Sequence, residues 1–213
     1  MSDNKSEQTT GSGEKKNNRF ELMSGLTLAI FAAALALNDL AAGKYGEDEL
    51  KGTNEKSSAL SWYQSKSIKR SLLEGQKDMV NTLVDGGAVK PEAAEAMKKM
   101  NEKLDKDIVR YKKEMKEIML GSKTDGEKEW AQDMDGKMGQ VKGAKEWEAE
   151  VVKLSNAGDR FDLGTLFLQL SLVLGAVSLV ISEAKLKSTF YFCMVAMGAI
   201  GVICSVTAFR LLP

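Results

Sequence analysis

The chain has 213 residues, thirty basic and thirty acidic side chains, and a formal net charge of zero. From Lys44 to Asp162 it carries 23 Lys and Arg against 24 Asp and Glu, without the basic surplus that marks a general nucleic-acid binder. Histidine is absent, which removes the commonest general base and the commonest metal ligand together.

Residues 1–19 hold Ser, Asn, Lys, Glu and Gly, with no apolar residue after Met1. Such a segment cannot bury enough surface to offset its ordering entropy and is predicted to be a disordered tail. Residues 20–43 begin with an apolar block, FELMSGLTLAIFAAALALNDLAA. Asn38 and Asp39 fall near its end, where a polar group can reach the membrane interface. Ala34-Leu35-Ala36 has the small-residue pattern of a signal-peptide cleavage site, and basic residues precede the block. The run is long for a signal sequence and the tail ahead of it is unusually long, so we read it as a retained transmembrane helix.

Residues 44–162 are expected to form a helical extramembrane domain, with helices over about 48–84, 91–120 and 127–160. Leu60, Ile68, Leu72, Met79 and Leu83 fit one face of the first helix. Asp85-Gly86-Gly87 ends it, and Pro91 suits the first turn of the next. In that second helix Met97, Met100, Leu104, Ile108, Tyr111 and Met115 lie on a seam from Ala93 to Ile118, at spacings of three and four with one stutter. The other faces are almost wholly charged, which is the pattern of a coiled coil. Such a seam needs a partner, either another helix of this chain or another copy. Gly121 to Gly126 breaks the pattern. Trp130, Met134, Val141, Trp147, Val151, Leu154 and Phe161 resume helical spacing, weakened by Gly136, Gly139 and Gly143. Nothing breaks the helix decisively between Trp147 and Leu163, so it is expected to feed straight into the next apolar run.

That run, residues 163–182, and a second over residues 188–210 flank the short polar break EAKLK. No charge occurs from Leu163 to Ser182 or from Ser188 to Phe209, and each run is about twenty residues, enough for a helix to cross the hydrocarbon core. Cys193 and Cys204 share a face of the last run about 16 Å apart along the axis, too far for a disulfide, and read as small apolar groups. Gln169 is the one strongly polar side chain inside the hairpin. It reads as an interhelical hydrogen bond within the bundle, with the lining of a permeation path as the alternative. Lys5, Lys15, Lys16 and Arg19 in the tail and Lys185 and Lys187 in the break place both in the cytoplasm by the positive-inside rule, with the helical insert outside it.

Catalytic patterns are missing. Gly121-Ser122-Lys123-Thr124 lacks the upstream glycine and the preceding strand of a phosphate loop. Asp133-Met134-Asp135-Gly136 continues with Lys137 and Met138 where a calcium loop needs a ligand and its turn glycine. The most individual stretch is SALSWYQSKSIKRSL, in which Trp62, Tyr63 and Gln64 stand beside Lys66, Lys69 and Arg70. Aromatic and basic residues together suit lipid head groups or an acidic partner. The plainer alternative is that the aromatics pack inside the insert while the basic groups stay solvated.

This stretch resembles a motif of the bacterial membrane family DUF4337, a domain of unknown function, of the form W-x-Y-Y-Q-A-K-S-I-K. Ser65 stands here where the motif has alanine, and the aromatic spacing is slightly compressed. The segments AAGKYGEDEL and GDRFDLGTLFLQLSLVLGAVSLV also look like that family, and the likeness covers about three quarters of the chain. The resemblance implies three retained spans in a bacterial inner membrane and brings no activity to transfer. The expected fold is therefore an all-α membrane protein with three transmembrane helices and a coiled-coil-like extramembrane insert. The expected function is a membrane-anchored scaffold that self-associates through the Ala93–Ile118 seam, or else a subunit of an oligomeric channel or transport-associated complex. No catalytic residue, cofactor or metal site is expected. The expected partners are the bilayer and a helical protein or a second copy, with no nucleic acid and no small-molecule substrate.

Overall fold

The computed structural model describes residues 7–134 and 136–212, with side chains from Arg19 onward. The protein is all-α apart from one small hairpin. Helix α1 spans Glu7–Asp85, α2 Pro91–Leu120, α3 Ser122–Asp125, α4 Ala144–Val180 and α5 Ala184–Phe209. Strands β1 (Asp133–Met134) and β2 (Lys137–Met138) pair antiparallel between α3 and α4. Two units emerge: a span unit of residues up to Asp48 and from Lys153, and an insert unit of Glu49–Val152.

Three helices are long and apolar enough to cross a membrane: α1 from Arg19, α4 and α5. In the span unit α1 runs beside α5 in the same direction and against α4. Near the start of α5, Lys187 donates to Glu21 of α1 at 2.9 Å and Phe20 meets Tyr191 edge to face. At the far end Tyr45 stacks on Phe161, and Phe209 closes the cluster against both rings. Helices α4 and α5 approach closely where Gly164 meets Gly201. A Cβ on Gly201 would lie 3.0 Å from the Leu168 nitrogen and 3.1 Å from the Gly164 carbonyl oxygen. Leu168, Ser171, Met194 and Ser178 are fully buried at these crossings.

Asn38 is buried rather than turned out to the interface. Its Nδ2 donates to the Phe161 carbonyl at 2.9 Å and to Thr165 Oγ1 at 2.8 Å, and the Thr165 hydroxyl donates to Asp39 Oδ1 at 2.8 Å. An amide among apolar helices is stable only where its donors find acceptors, and α4 supplies two.

In the insert unit α1 and α2 lie antiparallel. Glycine ends α1: Gly87 adopts φ +69°, and the Ala88 amide reaches back to the Leu83 carbonyl. Pro91 stands at the start of α2. The two helices are cross-linked by Asn101 donating to Asn81 at 2.7 Å, Lys77 to Asp105 at 2.5 Å, and Lys66 to Glu114 at 2.5 Å. Ala59, Ile118 and Ala144 form the core where α1, α2 and the start of α4 converge.

Three expectations change. The break between a first span and a following helix is not present, because α1 is continuous through residues 43–48, where Gly43 and Gly46 keep helical dihedrals and no proline intervenes. The disordered tail expected over residues 1–19 falls partly on residues 1–6, outside the described residues, while the backbone is helical from Glu7. The helix expected over 127–160 begins only at Ala144. Ahead of it, Gly126, Gly136 and Gly139 all have φ near +80°, which a helix does not admit.

The Gly164–Gly201 contact makes a stability prediction. Gly201→Val should push α4 and α5 apart and cost about 1–3 kcal/mol, as overpacking does. Gly25→Ala, whose added methyl meets nothing within 4 Å, should not destabilise and should gain up to about 1 kcal/mol of helix propensity. SDS titration of the full-length protein in mixed micelles measures both.

Candidate functional site

The aromatic and basic residues of α1 face α2 in the insert unit. Trp62 and Tyr63 are half-buried against the Ala59–Ile118–Ala144 core, together with Leu60 and Met119. Gln64 and Lys69 stay exposed. Lys66 is drawn inward to Glu114, a buried carboxylate that Arg110 also faces at 3.5 Å. Both cations lie over the Tyr111 ring, Lys66 at 5.4 Å and Arg110 at 5.1 Å from its centroid. A buried carboxylate between two cations over an aromatic face is compensated, whereas one left alone would be costly.

Beside this cluster opens a cleft of about 310 Å³ lined by Tyr63, Arg70, Lys112, Met115, Lys116, Met119 and Leu120. The lining joins apolar side chains to three cations. Two of the three cations are already engaged: Arg70 stands 3.4 Å from Glu74, and Lys116 bonds Asp125 at 2.6 Å. The hydrogen bond to Asp125 raises the Lys116 ammonium above its ordinary pKa.

Below the cleft, Glu117 is fully buried. It accepts from the Ser122 hydroxyl at 2.7 Å and from the backbone amides of Ala131 and Gln132 at 2.8 and 2.9 Å. Ser122 Oγ in turn accepts from the Val141 amide at 2.9 Å, and the Ser122 amide donates to the Val141 carbonyl at 2.9 Å. Trp130 Nε1 closes the knot on the Ser122 carbonyl at 2.8 Å. Two glycines make room for it. A Cβ on Gly143 would fall 2.2 Å from the Gly121 nitrogen, and Gly139, at φ +79°, lies under the Trp130 ring. Sequence reasoning missed Glu117, which reads as one more charge beside the seam. The signal available was the run of Gly121, Gly126, Gly136, Gly139 and Gly143, which favours a folded loop over a helix.

The insert unit therefore combines a helical hairpin of α1 and α2 with a glycine-rich knot. The model of a family described as a domain of unknown function, DUF4337, matches residues 20–211. The chain belongs to the DUF4337 family. No curated protein and no solved structure matches it.

Within this DUF4337 chain the seam divides. Leu104, Ile108, Met115 and Ile118 are buried, while Tyr111 is half-buried under its two cations. Met97 is half-buried and Met100 exposed. The seam thus finds most of its partner inside the chain. Gln169 does not join the bundle: it is exposed on α4 and has no hydrogen-bond partner among the described residues. The candidate calcium loop includes Asp135, which lies outside the described residues. No catalytic feature is evident among the described residues.

Glu117→Ala should strand three donors, each lost partner costing about 1–3 kcal/mol. Amide exchange over residues 121–143 should accelerate and Trp130 fluorescence shift to the red, while α2 retains its helicity. A second prediction concerns pH. The hydrogen bond from Lys56 holds the Glu148 carboxyl below its ordinary value. A depressed carboxylate contributes stability that is present above the unfolded-state pKa and lost as pH falls through the folded one. Lys116, being raised, contributes stability that is complete below the usual lysine range and lost as pH rises past it. Unfolding of the Lys56→Met variant, followed across pH, should therefore show a shallower acid decline than the parent, with the alkaline limb unchanged.

Proposed function

We propose that this DUF4337 protein is a membrane-anchored helical scaffold that self-associates, multi-pass through its three apolar helices and without catalytic activity. The observation that carries the reading is a stripe on α1 in the insert unit. Ile68, Leu72 and Met79 are 62, 62 and 65 % exposed, at helical spacing, with Gly75 between them and open space above it. Three large apolar side chains in line on a water-facing helix mark a docking surface. The seam that would otherwise serve is closed from Leu104 to Ile118. The spacing of four, three and four along the stripe suits a parallel helix pair, in which Gly75 permits close approach.

Charge supports interaction over turnover. The buried and cleft-side charges Lys66, Glu114, Lys116 and Asp125 are paired with each other, and among the described residues no nucleophile stands beside a base. The favoured location is a bacterial inner membrane, with the tail cytoplasmic and the insert outside, following the lysines of the tail and of the turn into α5. A path through the bundle of a single copy gains no support, since the helices of the span unit close on glycine contacts and Gln169 stands outside them.

The stripe can be tested in the full-length protein. Ile68→Glu with Leu72→Glu should weaken self-association at least about tenfold, as removal of central apolar contacts does, with helicity by circular dichroism unchanged. Light scattering with detergent correction reads the mass. An unchanged mass across a dilution series would remove the stripe from the assembly.

A further inference from the structure

In the three-helix span unit several small residues of α4 are used up internally. Ser171, Gly175 and Ser178 face the bundle, where Gly175 lies against Leu28 and Met194, and Ser178 bonds the Gly175 carbonyl. The opposite face carries Leu166, Gln169, Val173, Ala176 and Val180, all exposed. Their spacings are three, four, three and four, the pattern of a helix–helix seam. Asp162, one turn earlier, ends it.

Gln169 stands within this face, six residues past Leu163, or about 9 Å along the helix axis. In hydrocarbon neither its NH₂ group nor its carbonyl has water to bond, and lipid tails offer nothing. Thr165, one turn before Gln169 and turned towards α1, already accepts from Asn38 and donates to Asp39. Lipid ester groups would answer only the donors. A second glutamine answers both donor and acceptor.

We propose that α4 pairs with α4 of a second copy of this chain, with Gln169 bonded to Gln169 across the contact. The inference rests on the reading that α4 crosses the membrane. Copies inserted with the same orientation present parallel α4 helices, and in a parallel pair each seam position meets its own counterpart. Identical depth then brings the two amides together, and the flanking leucine and valines pack like against like. The lone polar position fixes the register of the pair, since any slip would put an amide against an apolar side chain.

The experiment is cysteine cross-linking of the full-length protein in bacterial-lipid vesicles, in a Cys193→Ser, Cys204→Ser background. Gln169→Cys, Leu166→Cys and Val173→Cys should each yield covalent dimers, while Phe192→Cys, exposed on α5, should yield none. Gln169→Leu, which keeps the apolar surface, should weaken dimerisation roughly three- to thirtyfold, the range for one interhelical hydrogen bond, and Gln169→Asn should retain most of it. Cross-linking at Phe192 equal to that on the α4 face, or no effect of Gln169→Leu on the dimer fraction, overturns the proposal. Alkaline carbonate washing of the same vesicles separates the two failures. A protein that washes off defeats the membrane reading and the pairing together. A protein that stays embedded but monomeric defeats the pairing alone.

Discussion

A carboxylate removed from water must be met by donors, and in the insert unit the geometry follows from how Glu117 is met. One oxygen takes the Ser122 hydroxyl and the other takes two successive backbone amides, Ala131 and Gln132. To deliver those amides the chain must turn sharply after Leu120, wrap past Trp130 and return. It does so through glycines at φ +90°, +83°, +80° and +79°. Ser122 then exchanges two bonds with Val141, which fixes the chain two residues before Gly143 and hence the start of α4. Charge-assisted bonds to backbone amides are among the stronger ones proteins make. Two of them on one side chain, with the Ser122 hydroxyl as a third donor, outweigh the weak propensity of a segment rich in glycine.

The same requirement operates in the span unit with less charge. Asn38 spends its NH₂ group on α4, through the Phe161 carbonyl and the Thr165 hydroxyl, and Thr165 passes its own proton to Asp39. Polar groups at the α1–α4 crossing thus hold the helices in register, while Gly164 and Gly201 let α4 and α5 close. Gln169 is the exception that gives the rule its use. It carries the same amide chemistry as Asn38, yet stands on a side of α4 left exposed among the described residues.

What the sequence made legible was set by range. Three apolar runs are local patterns, and α1, α4 and α5 carry them. The glycine pair after Asp85 and the proline at position 91 are local too, and α1 ends and α2 begins there. The continuity of α1 through Gly43 and Gly46 was hidden, because glycine lowers helix propensity without forbidding a helix. Trp130, Met134 and Val141 kept helical spacing by coincidence. Their glycines outweighed it once a distant carboxylate supplied the amides' partner. That competition joins residues fourteen and fifteen positions apart in sequence, beyond what a periodicity of three or four can detect. Nor could spacing decide which way Trp62 and Tyr63 turn. Burial decided it, by offering Ile118 and Ala144 as neighbours.

A seam read from sequence states that a helix needs a partner, not which partner. Here α1 and α2 are joined by a loop of a few residues after Asp85, so the hairpin partner is always at hand. A neighbouring copy must be recruited against translational entropy. The connected partner wins wherever both are apolar, which is why Leu104, Ile108, Met115 and Ile118 are buried in the chain. Apolar surface left over after that internal choice is what remains for association. On α1 it is the stripe of Ile68, Leu72 and Met79, set on the side away from the hairpin contact. For a helix in water the leftover surface is detected by its apolarity. For a helix read as crossing lipid it is detected by the reverse, a polar group such as Gln169 that no described residue of the chain bonds.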